Sequence, residues 1–508
     1  MSCDCGGAGG CQGGGAPKET SGSGTASGQG TASAQGGASG LSPLEMTMAT
    51  AGQATMEMAP PTMDHSAFDV FNPPDPGLIA DCVHCGFCLP ACPTYQLWGN
   101  EEDSPRGRIY LMEKGLEEGP MTASMVEHFD ACLGCMACVS ACPSGVQYDK
   151  LIEATRGQVE RNGKEHRSRA EVALREAIFQ LFPYPDRLKA LLAPLKLYQR
   201  TGLSNVIRKS KILEKLSPTL ATMEAIAPPV TKKVAIPATN PPRSAAGESL
   251  PVRARVGMLL GCVQRTFYPQ VNAATVRVLN MEGCEVVVPQ SQGCCGALSV
   301  HAGRSEEGED FARRIVDTFT SAEVDYLVVN SAGCGSTMKE YADILADDPA
   351  YAQRAKELAD KVKDVTEILV ELGPSAPRHP VAEGGLRVAY HDACHLSHAQ
   401  GVRNPPRELL GQIPGIELAA IKDADTCCGS AGIYNLVRPE TARELGDKKA
   451  TNIAATNAAL VVTGNPGCLL QVTDALRRQG EATLPTAHTI ELLDASLTGA
   501  GAGELLAR

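Results

Sequence analysis

Eight cysteines stand in two copies of the pattern CxxCxxCxxxCP: Cys82, Cys85, Cys88 and Cys92 before Pro93, then Cys132, Cys135, Cys138 and Cys142 before Pro143. No other feature constrains the folding of this chain as tightly. Gaps of two residues let three thiolates wrap one iron–sulfur cube. The fourth cysteine, one residue further on and held by proline, turns away from its own trio and ligates the other cluster. Cys82, Cys85, Cys88 and Cys142 are therefore expected to hold one [4Fe–4S] cluster, and Cys132, Cys135, Cys138 and Cys92 a second. The crossing forces the clusters close together in a small, mainly helical, ferredoxin-type unit. Zinc would ask for two pairs of ligands per metal rather than a trio and a distant fourth. A disulfide framework would need an oxidising compartment.

Composition narrows the setting. A chain of 508 residues has room for about three domains. Aromatic residues make up 4% with a single tryptophan, Trp98, so cores must be aliphatic and, near the cysteines, inorganic. Twenty cysteines without an export signal or an apolar run of about 18 residues indicate the reducing cytoplasm, with peripheral attachment to the inner face of the membrane as a further option. The net charge of −12 argues against a general nucleic-acid binder.

Residues 1–72, dominated by Gly, Ser, Ala, Thr and Gln, are too poor in large apolar side chains to offset ordering entropy and are expected to be disordered. The Cys3, Cys5 and Cys11 thiols in this tail, set among glycines and away from any histidine, read as part of an idle extension rather than a metal scavenger. Residues 73–158 form the two-cluster unit. Within it, Arg106 and Arg108 follow a turn into a helix, where a solvated helix face accounts for each more simply than cluster neutralisation or partner docking. Residues 159–225 read as helical, and between 161 and 216 thirteen Lys or Arg stand against five Asp or Glu. A solvated face explains such a segment; docking on an acidic partner or an anionic lipid surface is its functional reading. Residues 226–252 form a Pro-rich, semi-rigid linker.

Beyond the linker the chain repeats. Cys262 is matched by Cys394 at an offset of 132, Cys294-Cys295-Gly296 by Cys427-Cys428-Gly429 at 133, and Cys334 by Cys468 at 134. Residues 253–375 and 384–500 thus read as duplicated domains. Their strands are expected at Val256–Leu260, Glu285–Val288 and Tyr326–Val329, then Arg387–Tyr390, Glu417–Ile421 and Leu460–Thr463. The alternation with helices makes each domain α/β with a mainly parallel sheet, within an α/β and α+β multidomain chain. Every matched cysteine lies just past the carboxyl end of a strand, the edge where such sheets bind ligands. Each copy then brings four thiolates to one rim, suited to a further cluster or to zinc, against the plainer reading of buried free thiols. Cys284 has no counterpart and reads as core. His391 and His395, flanking Cys394, read as hydrogen-bond partners of the rim sooner than as proton carriers beside a quinone.

These residues resemble a known family. The segments Cys82-Val83-His84-Cys85-Gly86-Phe87-Cys88, Cys92-Pro93-Thr94-Tyr95-Gln96-Leu97, Pro105-Arg106-Gly107-Arg108-Ile109-Tyr110-Leu111, Gly293-Cys294-Cys295-Gly296 and Thr426-Cys427-Cys428-Gly429-Ser430-Ala431-Gly432 are similar to those of the iron–sulfur subunit of bacterial glycolate oxidase, also called glycolate dehydrogenase. The resemblance runs over roughly residues 76 to 495. It implies a complex with two FAD-linked subunits that oxidise glycolate to glyoxylate, with electrons delivered to quinone or another respiratory acceptor. The cysteine-cysteine-glycine domains also resemble those of heterodisulfide reductase, which hold non-cubane clusters with a further cysteine in a terminal CxxC. Here Ser331 and Asn465 occupy that position. Lactate-utilisation proteins and the anaerobic glycerol 3-phosphate dehydrogenase subunit share the same modules.

The expectation is an electron-transfer subunit that is not catalytic alone. No GxGxxG fingerprint follows a strand, so the flavin belongs on a partner. The alternatives are a self-contained reductase that works on its cysteine-cysteine-glycine clusters and a redox-sensing scaffold.

Overall fold

The proline that ends each cysteine motif acts differently in the two copies. Pro93, whose φ is preset and whose missing N–H costs nothing at a first helical position, starts the helix Pro93–Trp98, with Cys92 as the residue before it. Cys142 instead ends the helix Ala137–Ala141, and Pro143 leads the chain away. Around these turns the helices Pro105–Glu117, Ala123–Ala131 and Tyr148–Asn162 enclose a core of Phe68, Met112, Phe129, Leu151 and Ile152.

The computed structural model describes residues 66–508 apart from 118, 211, 232, 233 and 482. Cys3, Cys5, Cys11 and the tail up to residue 65 lie outside the described residues. Residues 66–72 depart from the expected disorder. Ala67 and Phe68 are buried, Ser66 donates to the Gly115 carbonyl at 2.9 Å, and Asp69 pairs with Arg161 at 2.7 Å. Phe68 anchors this short segment by filling the space left by the missing Cβ of Gly115.

Helices Arg169–Leu181, Pro185–Arg200, Leu203–Ser210, Ile212–Leu216 and Pro218–Ala225 bear out the helical reading of the next segment. Arg161, Lys164 and Arg169 are exposed as a solvated face requires, but two basic residues between them and beyond are not. Arg167 and Arg175 are buried against Asp130 and carry ion pairs to Glu160 and Glu171 as well.

Two sheets follow. The first has the order β1(Thr239–Asn240), β3(Cys284–Val287), β2(Ala254–Met258), β4(Tyr326–Val329), β5(Val362–Asp364), parallel except for β1. The second has β7(Ile416–Ala419), β6(Leu386–His391), β8(Leu460–Thr463), β9(Thr486–His488), all parallel. Four strands of the first repeat the order of the second, as duplication requires. The apolar runs of β4 and β8 are central and covered on both faces, hence their unbroken Val and Leu. The short strands β1, β5 and β9 escape the sequence reading. β1 lies inside the 226–252 linker and adds an antiparallel edge to β3.

The two copies share a core. Val271, Val278 and Leu279 of the helix Pro269–Met281 pack in one cluster with Ile490, Leu492 and Leu493 of the helix Thr489–Thr498. Arg277 and Asp494 close this seam at 2.6 Å.

Candidate metal centres

The two ferredoxin-type loops reach the same backbone shape with different residues. His84 (φ 52°) and Gly86 (φ 86°) in the first match Gly134 (φ 64°) and Met136 (φ 60°) in the second. Two left-handed residues between three cysteines curl the chain so that the sulfurs face one point. His84 and Met136 carry the strain this imposes on side-chain-bearing residues.

One cavity is lined by Cys82, Cys85, Cys88 and Cys142, with Cys138 at its edge; a neighbouring one is lined by Cys92, Cys132, Cys135 and Cys138. The fourth cysteine of each motif thus lies with the trio of the other. Two groups of four thiols, pre-gathered and curled towards one point each, suit the cubane donor set, which supplies one-electron chemistry when bound.

The surroundings of the two groups differ. The first is half open: Cys85 is exposed, and Val83 and Phe87 beside it are 69% and 63% exposed. Burial pushes the Cys88 thiol up to about 11. The second is enclosed. Burial works to raise Cys132, but the Arg108 and Arg156 guanidiniums outweigh it and leave this thiol below its usual range. Cys135 and Cys138, burdened by burial and by neighbouring thiols, are pushed well up.

Arg108 departs from the solvated-face reading. It is 1% exposed and donates to the carbonyls of His128 and Asp103, both at 2.6 Å. Its charge sits between Cys92 and Cys132, so the side chain neutralises what the second thiol group would carry. Arg106 stays partly exposed, pairs with Glu101 at 2.5 Å and donates to the His84 carbonyl at 2.8 Å, bracing the first loop.

Each duplicated sheet brings its four cysteines to one rim. In the first, Cys294 donates to Cys262 across 3.6 Å, and Cys295 contacts both Cys294 and Cys334. The Gly296 amide donates to Cys294 at 3.4 Å and the Tyr341 hydroxyl to the Cys295 carbonyl at 2.7 Å. In the second, Cys427 links Cys394 to Cys428, Cys428 links on to Cys468, and the Gly429 amide donates to Cys427 at 3.4 Å. Gly296 and Gly429 have φ near 84° and 90° and are packed so closely that a Cβ would meet the backbone of Gly308 at 2.9 Å and of Ala442 at 2.6 Å. That fixes the glycine of each CCG. Cys284 is buried at the start of β3, in the core, as its lack of a counterpart implied.

The second rim abuts the enclosed ferredoxin-type group. Cys135, Leu133 and Ala137 share one apolar cluster with Cys394, Cys427 and Tyr434. Arg156 ties the pieces together by donating to the carbonyls of Cys132 (2.6 Å) and His301 (2.8 Å). His301 pairs with Glu153 at 2.9 Å and stacks on His395, whose Nδ1 lies 3.5 Å from Cys394 Sγ. The hydrogen-bond reading of His395 fits this geometry. His391 likewise reaches a rim thiol, that of Cys428. Sequence reasoning missed Arg156 and His301, since each acts across a distance in sequence that no local pattern encodes.

Three family descriptions match the chain: "4Fe-4S dicluster domain" at residues 79–146, "Glycolate oxidase iron-sulfur subunit, linker region" at 170–227, and "Cysteine-rich domain" at both 256–339 and 388–473. The chain is 39% identical to the probable glycolate oxidase iron–sulfur subunit of Bacillus subtilis over 423 residues, covering 82% of this chain and 94% of that one. It is 35% identical to the glycolate oxidase iron–sulfur subunit of Escherichia coli, covering 83% and 94%. Lactate utilization protein A of Shouchella clausii is 32% identical across 47% of this chain and 98% of its own. With iron–sulfur and cysteine-rich modules in this order, and relatives matched over nearly their whole length, the chain belongs to the family of glycolate oxidase iron–sulfur subunits.

Proposed function

We propose that this chain carries electrons from FAD on two partner subunits, where glycolate becomes glyoxylate, to quinone at the membrane. Cys82, Cys85, Cys88 and Cys142 hold the entry cluster, and Cys132, Cys135, Cys138 and Cys92 the second. The observation that carries the reading is the series of thiol groups: an exposed one at Cys85, an enclosed one, and a cysteine rim in direct contact with it. Exposure of the first group lets a partner's flavin approach, while enclosure of the second shields its electrons from water and oxygen. Arg108 and Arg156 offset the negative charge of the thiolates there.

Attachment to the membrane is supported by the helical arm at 185–220. It carries eight Lys or Arg against two Asp or Glu in a protein of net charge −12. Ile207 and Leu213 face a cavity against the protein body, while Leu197, Leu203, Val206, Ile212, Leu216 and Leu220 are exposed. Aliphatic residues interleaved with lysine match an interfacial helix; a protein interface favours aromatic residues and is poor in lysine. Among the described residues no helix is long and apolar enough to cross a membrane.

Coexpression with the FAD subunits is the test. The chain should copurify with them, and Cys85→Ala or Cys135→Ala should stop dye or quinone reduction while flavin reduction by glycolate persists. Glycolate turnover by the isolated chain would instead favour a self-contained reductase.

A further inference from the structure

The duplicated rims differ at a buried residue three positions before the first cysteine, Leu259 in the first copy and His391 in the second. Leu259 is 1% exposed and packs among Cys294 and Cys295. His391, also 1% exposed, occupies the same place at the end of β6, and a nitrogen of its ring lies within 4.8 Å of the sulfurs of Cys428 and Cys468. Its ring reaches the Cys428 thiol and has no other hydrogen-bond partner.

A buried imidazole whose only polar contact is a thiol loses its water bonds and gains little in return. Nearly all buried polar groups find a partner, so one aimed at two thiols asks for an occupant between them. Donors within 4.8 Å of one another need to close by only about an ångström to share a metal at about 2.0–2.3 Å from each. The position that would hold a fifth cysteine does not compete: Asn465 donates to Cys468 Sγ at 3.5 Å, and Ser331 in the first copy is turned to Asn465 at 3.4 Å.

We propose that His391 is a direct ligand of the metal centre in the second rim. The two copies then hold centres of different make-up, four thiolates with one imidazole in the second and four thiolates alone in the first. The inference rests on the reading that the rims bind metal.

Anaerobically grown crystals of the full chain, mapped by anomalous scattering, test it for iron and zinc alike. Metal in the second rim at bonding distance from a His391 nitrogen is the expected result. Metal in both rims with His391 beyond bonding distance overturns the ligand assignment and leaves metal binding by the rims standing. Empty rims beside filled ferredoxin-type sites overturn both. Metal content per chain gives a second readout. His391→Leu, which installs the residue of the first copy, should lose the metal of the second rim and keep the iron of the other sites. His391→Cys should retain the full count. Unchanged metal in a folded His391→Leu protein would overturn the proposal.

Discussion

Arg108 lies under the second thiol group with Asp103 and His128, the latter's Nδ1 2.9 Å from the Asp103 carboxylate. Arg108→Met keeps the volume but removes the cation that faces the buried Asp103 carboxylate and the Cys132 thiol, so it should cost about 3–5 kcal/mol in anaerobic denaturant unfolding. It should also lower the reduction potential of the second cluster, because a thiolate-bound centre without its cation resists a further electron. Crossed ligation gives a second expectation at this scale. Cys142→Ala should abolish the spectroscopic signature of the cluster held by Cys82, Cys85 and Cys88, although Cys142 is remote from them in sequence. Loss confined to the cluster of Cys132, Cys135 and Cys138 would contradict the assignment. The cysteines of both motifs were legible in the sequence because ligation is a matter of local spacing. The burial of Arg108 was not: the same Arg-Gly-Arg run leaves Arg106 partly exposed, and which of the two turns inward depends on packing against the helix Ala123–Ala131.

Secondary elements transmit these placements through close backbone approach. Gly303, with φ near 83°, sits so tightly on the helix Tyr148–Asn162 that an added Cβ would lie 2.2 Å from the Arg156 carbonyl oxygen. Gly303→Ala should therefore destabilise by about 1–3 kcal/mol and loosen Arg156 from Cys132. Gly411→Ala, with open space around it and no positive φ, should stay within about 0.5 kcal/mol of the parent protein. Thermal melts of both variants with clusters intact make the comparison. The helical arm offers another test. Leu203 and Val206 stand three apart on one helix and both are exposed, so a Leu203→Asp, Val206→Asp double variant should lose flotation with anionic phospholipid vesicles without losing cluster absorbance. Flotation unaffected by that variant would argue for a protein partner on this surface. Helical periodicity revealed the arm; its outward and inward sides became distinguishable only where the cavity lined by Ile207 and Leu213 showed which side is covered.

At the scale of the whole molecule the copies meet through His488. Its Nε2 donates to the Asn330 carbonyl of the first copy at 2.9 Å, and its Nδ1 accepts from the Ile490 amide at 3.2 Å, so the fold needs the neutral ring. Burial holds its pKa down from 6.5 to about 4. A histidine depressed in the folded state gives stability that is complete above pH 6.5 and is lost as pH falls towards 4, on the order of 3 kcal/mol. Anaerobic melting temperatures should drop across that window, and less steeply in His488→Gln. The sequence by itself determined the cluster motifs, the duplication, the parallel α/β character of the copies and the rim cysteines, because spacing, repetition and strand-end position are written along the chain. It left unread which thiol group is open, which rim touches the ferredoxin-type unit, and that His391 turns its ring to Cys428 and Cys468 while His395 turns to Cys394 and His301. Those facts depend on how the two copies and the ferredoxin-type unit pack together, which no local pattern along the chain encodes.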